Sequence, residues 1–239
     1  MSGAARSRFA DGRWHFQHGP IDLVIGVDGD PAAVGLALAA AWSRFSGVLD
    51  ELVGELPLLR APCPPTAHGS LPQGPIARRM VEACSPYAER FGLFVTPMAA
   101  VAGSVAQEIV AHLARPGVRR AWVNNGGDIA LWLGDGASVD VGMVTRLDAP
   151  AIDGRLRIAD TDGPRGIATS GWRGRSLSLG IADSATVLAR SASQADAAAT
   201  LIANAVDAAD PRIVRAPADS VRDDSDLGPR PVTVAVPPL

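Results

Sequence analysis

The sequence predicts an α+β fold, with helices packed on antiparallel sheets. Three observations carry this. Apolar residues recur at helical spacing through the first half of the chain. Short strand-like runs joined by glycine-rich turns fill much of the second half. The order, helices first and strands after, argues against repeated βαβ units. At 239 residues, 47% of them hydrophobic, the chain suits one domain with a sizeable core. We therefore read residues 1–239 as a single domain, with 1–18 as a polar N-terminal arm and 208–239 as a tail ending in a final strand.

Ile21 to Val27 reads as a strand. Asp30 before Pro31 is an N-cap followed by proline at the first helical position, which predicts a helix from there to about Gly54. Residues 57–74 hold five prolines and two glycines and read as a loop, which carries His68. Ala77 to Phe91 predicts a helix interrupted around Pro86, and another starts after Pro97 and runs to about Arg115. Strands follow at 118–124, 129–133, 138–145, 156–159, 166–169, 176–181 and 185–189. A last helix spans about 194–206, and a final strand 232–236. Asp50, Glu51 and Glu55 read as a solvated helix face, and Asp223, Asp224 and Asp226 as a solvated tail.

Composition excludes several chemistries. All 22 basic residues are arginine. Without lysine there is no Schiff-base lysine, no Walker-type phosphate lysine and no lysine general base. Phosphate would have to be held by arginine, backbone N–H groups or a metal. Net charge is −3, so no strong field favours nucleic acid or anionic membranes. Cys63 and Cys84 form neither a metal-binding pair nor a disulfide scaffold. Residues 1–18 lack the apolar segment of a signal peptide. The apolar stretch from Val95 to Val105, read as the longest, is too short to span a membrane. A cytoplasmic location is the default expectation. The apolar first half leaves room for a homo-oligomer.

Three features carry candidate chemistry. In Asn124-Asn125-Gly126-Gly127-Asp128, adjacent glycines between apolar runs permit positive φ and close approach of a ligand to the backbone. The plainer reading is a tight hairpin turn. Asp196 and Thr200 stand four apart on one helix face and offer hard oxygens to magnesium. Alternatively, Ser193 caps that helix and Asp196 occupies the third position of its first turn. Thr169-Ser170-Gly171 offers two hydroxyls and a glycine after a strand, with Arg173 nearby as counter-charge, or is simply a polar turn.

In this order the three motifs resemble the ApbE-like superfamily, whose best-known members transfer FMN from FAD to a threonine of a partner protein using magnesium. The nearer likeness is to an uncharacterised ApbE-like family of bacteria and archaea. It extends over Thr96 to Gly103, Leu179 to Asp183 and Ala195 to Asn204. The resemblance implies a T-fold-related α+β domain. It implies Asp196 and Thr200 as metal-binding side chains, with a backbone ligand near Ala99 or Ala100. It further implies Asn125, Gly126, Gly127 and Asp128 as one nucleotide-contacting turn and Thr169, Ser170 and Gly171 as another. The cofactors implied are FAD or FMN with magnesium, and the ligand a phosphorylated small molecule. Where the transferases carry Lys-Gly, this chain has Ala102-Gly103, and their His and Asp-Pro have no counterpart around residues 176–183. These departures point away from flavin transfer itself. If the chain is an enzyme, a transferase or a phosphoester-processing activity is the class implied. The alternatives are a non-flavin enzyme of a cofactor or one-carbon pathway and a non-catalytic binding or assembly protein.

Overall fold

A computed structural model describes residues 3–64, 71–144, 151–152, 154–174, 176–223 and 225–237. His68, Asp224 and the end of the strand expected at 138–145 lie outside the described residues. The fold is α+β. Strands β1 (Ala5–Arg8), β2 (Trp14–His18), β3 (Ile21–Gly29), β4 (Val118–Asn125) and β5 (Asp128–Leu133) form an antiparallel run. Strands β6 (Ser138–Met143) and β7 (Gly154–Ala159) leave it as a separate hairpin. The chain returns as β8 (Gly166–Ser170) beside β5, followed by β9 (Ala185–Ala189). The seven-stranded order is β1-β2-β3-β4-β5-β8-β9.

Residues 1–18, expected as a polar arm, instead supply β1 and β2 of this sheet. Phe16 and His18 face inward and are buried, while Gln17 between them is exposed. Such alternation over five residues is too short to stand out in a polar context.

Helix α1 (Pro31–Phe45) starts as expected: Asp30 accepts N–H bonds from Ala32 and Ala33, each 3.0 Å. The single helix expected to Gly54 breaks at Ser46-Gly47, and α2 (Val48–Gly54) and α3 (Leu56–Leu59) follow. The run Pro31–Gly54 has the length and mean hydropathy (1.4) of a membrane span. Here Ala37, Leu38, Ala41 and Phe45 turn its apolar side into the protein core. Helix α4 (Pro75–Phe91) continues through Pro86. Proline removes one N–H bond to the carbonyl of residue 82, but Glu82 and Pro86 both lie on the exposed side of the helix, where the loss costs least. A 3-10 turn, Pro97–Ala100, leads into α5 (Val101–Leu113). After β9 comes α6 (Ala192–Ala205). The tail is ordered as β10 (Val214–Pro217), α7 (Ala218–Val221) and β11 (Pro231–Ala235), with β10 and β11 paired.

No strand forms at 176–181. That segment runs along the end of α6: Asn204 Oδ1 accepts from Leu179 N–H at 2.9 Å, and Ile181 N–H donates to the Val206 carbonyl at 2.8 Å. Its alternating polarity faces a helix end and the tail rather than another strand.

The main core lies between one sheet face and α1, α5 and α6. Leu23, Ile25, Val123 and Ala130 from the sheet meet Phe45, Val105 and Ile109. On the opposite face, Leu131 and Ile167 pack with Ile158 of the β6–β7 hairpin. The two faces match the period-2 alternation of the strands.

Glu108 of α5 ties the helical layer together. Its carboxylate accepts from Arg44 Nε of α1 at 2.7 Å and from Arg79 Nη2 of α4 at 3.0 Å. Arg44 also pairs with Glu51 of α2 at 2.7 Å. Glu51 is therefore not part of a solvated face, and neither is Glu55, which accepts the N–H groups of Gln73 and Gly74, each at 2.7 Å, where α4 begins. Burial opposes ionised Glu108, but the bonds from Arg44 and Arg79 outweigh it and lower its pKa. A lowered folded pKa stabilises above the unfolded value, about 4.3, and that contribution disappears as pH falls through the folded value. Replacing Glu108 with Ala leaves the half-buried Arg79 without its carboxylate and Arg44 with Glu51 alone. The expected loss is about 1–3 kcal/mol, read by urea denaturation at pH 7, and it should shrink at low pH.

Candidate functional site

Three chain turns meet at one end of the sheet. Gly126 and Gly127 close the β4–β5 hairpin in a two-residue loop, with φ of +67° and +117°. Positive φ at both positions is what a primed hairpin turn needs, and glycine supplies it without a Cβ clash. Asn124 Oδ1 accepts the Gly127 N–H at 2.8 Å, and Asn125 Nδ2 donates to the Ala102 carbonyl at 3.2 Å. The hairpin is thereby tied to the first turn of α5.

Helices α5 and α6 approach unusually closely beside this hairpin. A Cβ on Gly103 would lie 2.2 Å from the Ala192 carbonyl oxygen, so only glycine fits there. The approach lets Gly103 N–H donate to Asp196 Oδ2 at 2.8 Å. An N–H in the first turn of a helix has no partner within its own helix, and here a carboxylate from another helix provides one. The cap of α6 itself is Ser191, which accepts from Gln194 N–H, not Ser193. Ser193 donates instead to Gln107 Oε1 at 3.1 Å. Asp196 thus lies beyond the first turn of α6 and caps α5.

Two adjoining chambers open around this joint. The smaller, about 290 Å³, is bordered by Ala99, Asp128, Asp196 and Thr200, together with Thr96, Asn204, Asp226 and others. The larger, about 480 Å³, is bordered by Asn125, Gly126, Asp128, Thr169, Ser170 and Gly171 on one side and by aliphatic side chains of α2 and α3 on the other. Arg60, Met98, Val101, Ala102, Asp128, Ser176 and Arg222 border both. The structure thus brings together the residues implied as metal- and nucleotide-contacting except Gly127, which borders neither chamber and whose N–H is taken by Asn124. Of the two backbone candidates, Ala99 borders the smaller chamber, whereas Ala100 is fully buried outside it. The Thr169 hydroxyl shares a 2.8 Å hydrogen bond with Thr186 of β9. Arg173 lies apart: it pairs with Asp183 at 2.9 Å and lies over the Trp172 ring.

Burial and the nearby charge of Asp128 push the Asp196 pKa well above the usual carboxylate value, against backbone hydrogen bonds from Gly103 and Ala102 that lower it. Two carboxylates sharing a site away from water resist ionising together. A divalent cation would relieve that conflict. The donors bordering the chamber, namely carboxylates, the Thr200 hydroxyl and the peptide at Ala99, are hard oxygens that suit magnesium. Among the described residues no group of three or more His, Cys, Asp or Glu could hold a metal. A cation here would complete its shell with water and ligand oxygens, which is magnesium's usual habit.

Sequence reasoning missed several bordering residues. Asn204 continues the i, i+4 row of Asp196 and Thr200 and was legible by that spacing. Asp226, expected in a solvated tail, accepts a hydrogen bond from the buried Thr96 hydroxyl, because the tail folds over the smaller chamber. Arg60 and Arg222 sit in segments without periodicity, and nothing in the sequence marked them.

Residues 6–239 match the family described as AbpE bacteria. The chain belongs to this family. The UPF0280 protein of Methanopyrus kandleri is 35% identical over 192 residues, covering 80% of this chain and 72% of that one. The UPF0280 protein of Methanothermobacter thermautotrophicus is 41% identical over 140 residues, 58% of this chain and 51% of that one. That of Methanothrix thermoacetophila is 39% identical over 133 residues, 55% and 52% respectively. The matches to these last two thus span about half the length of each relative. This kinship is ApbE-like, in agreement with the motif order.

The raised pKa of Asp196 has a consequence for stability. A carboxyl whose folded pKa is raised stabilises below the unfolded value, about 3.9, and that contribution is lost as pH rises through the folded value. Asp196→Asn removes the titration and keeps an oxygen for Gly103 N–H. In EDTA the variant should melt at a higher temperature than the parent at pH 8, and the gap should close towards pH 4. Gly103→Ala should instead lower the melting temperature at every pH, because the helices must separate.

Proposed function

We propose that this chain binds a phosphorylated small molecule together with magnesium in the two-chambered cleft. The carrying observation is the convergence of Asp128, Asp196 and Thr200 with the β4–β5 turn and the Thr169-Ser170-Gly171 segment on one cleft. Asp196, Thr200 and the Ala99 carbonyl would hold the cation, with Asp128 close by. Bound there, magnesium would neutralise phosphate charge in a chain that has no lysine to share the task. Arg60 and Arg222, at the junction of the chambers, add the positive charge that suits a phosphate head. The ApbE-like resemblance adds FAD and FMN to the candidate ligands. If the site is catalytic, group transfer from, or hydrolysis of, a phosphoester is the reaction class it suits.

Calorimetric titration with FMN, FAD, ATP and pyrophosphate, each with and without magnesium, tests this. The expected result is binding that requires magnesium and weakens at least tenfold in Asp196→Asn and in Thr200→Val. No binding by any of these ligands at saturating concentration would overturn the reading.

The 2.8 Å bond from Gly103 favours a second reading, in which Asp196 only joins two helices. Asp196→Asn separates the two, since its amide oxygen still accepts from Gly103 N–H but its charge is gone. Unchanged magnesium-dependent binding in that variant supports the structural role.

A further inference from the structure

The larger chamber has a wall that the phosphate reading leaves unused. Ile21 at the start of β3, Leu49, Leu52 and Val53 of α2, and Leu56 and Leu59 of α3 all border it. Among the described residues no aromatic side chain borders this chamber. Phe94 borders the smaller one, and the Arg230 guanidinium lies over its ring, 3.3 Å from the centroid. Flat ligands such as flavins and purines gain from stacking on a ring face, and the described residues present none to the larger chamber. Branched aliphatic side chains at the wall suit a saturated, non-planar body, whose removal from water is the main gain. Val53 is 45% exposed although it borders the cleft, so part of this apolar wall meets solvent.

The polar groups are placed at the other end. Asp128, Arg60, Arg222 and Ser176 border both chambers. A phosphate head at that junction, beside the oxygens of Asp196 and Thr200, leaves the rest of the ligand to enter the aliphatic chamber. We infer that the ligand of this cleft is an aliphatic phosphate ester, with its phosphate at the junction of the chambers and its saturated chain against α2 and α3, rather than a flavin or purine nucleotide. This rests on the magnesium–phosphate reading above and specifies what that phosphate is attached to.

The test is calorimetry on the full chain in excess magnesium, with methyl, butyl, hexyl and octyl phosphate beside pyrophosphate, AMP and FMN. Affinity should rise roughly two- to fourfold per added methylene until the chamber is full, as expected for burying a CH₂ group, and hexyl phosphate should outbind AMP and FMN. Val53→Asn and Leu56→Asn should flatten the chain-length dependence and leave methyl phosphate or pyrophosphate binding unchanged. Val53 is exposed and Leu56 half-buried, so both substitutions are compatible with folding. Equal affinity for all alkyl phosphates, tighter binding of FMN or AMP than of hexyl phosphate, or an undiminished chain-length slope in both variants overturns the aliphatic assignment and leaves the phosphate reading standing. Failure of every phosphate-bearing probe, pyrophosphate included, overturns both.

Discussion

A single buried carboxylate joins the two halves of this fold. Asp196, in the middle of α6, accepts the Gly103 N–H at the start of α5. The bond exists because Gly103 has no Cβ to hold the helices apart, with the Ala192 carbonyl pressed against the same point. One residue earlier, the Ala102 carbonyl receives the Asn125 amide from the β4–β5 hairpin. Sheet end, α5 and α6 are thus pinned within a few residues of one another, and the cleft is the space these pins leave open.

The pinning has an electrostatic side. Asp196 is held away from water beside Asp128, a state that favours protonation in the free protein. Evolution towards stability alone would favour an amide or an apolar residue at such a position. A carboxylate that opposes its own ionisation is a common sign of a site that awaits a cation or a charged ligand. Glu108 shows the contrast: it is equally buried in the helical layer, but Arg44 and Arg79 answer its charge and its pKa is lowered. The same chain therefore holds one carboxylate whose charge is met within the fold and one whose charge is not.

Much of the fold was legible from local rules. Asp30-Pro31 marked the start of α1, and the Gly126-Gly127 turn marked a hairpin, because capping and positive φ act within a few residues. Asn125, Gly126, Asp128, Thr169, Ser170, Gly171, Asp196 and Thr200 were marked through motif order rather than through any one motif. Misreadings arose where partners are distant. The 176–181 segment alternates like a strand but lies against the end of α6. Asp226 reads as solvated tail until the tail's return places it on Thr96. Ser191 rather than Ser193 caps α6, since Gln107 of α5 takes the Ser193 hydroxyl. In each case a contact between residues far apart in the chain overrode a local preference.

By itself the sequence determined the α+β class, the absence of lysine chemistry and the ordered set of polar motifs, because composition, hydrophobic period and turn residues act locally. Only the tertiary structure decided that α5 and α6 touch through Gly103, that Arg60 and Arg222 reach the same cleft from a loop and a tail, and that Leu49, Leu52 and Leu59 of α2 and α3 both join the core and border a chamber. The physical reason is the same throughout. Side chains at i and i+4 share a helix face by covalent geometry, but which face meets which is set by close packing of the whole chain, and that information is spread over every residue that packs.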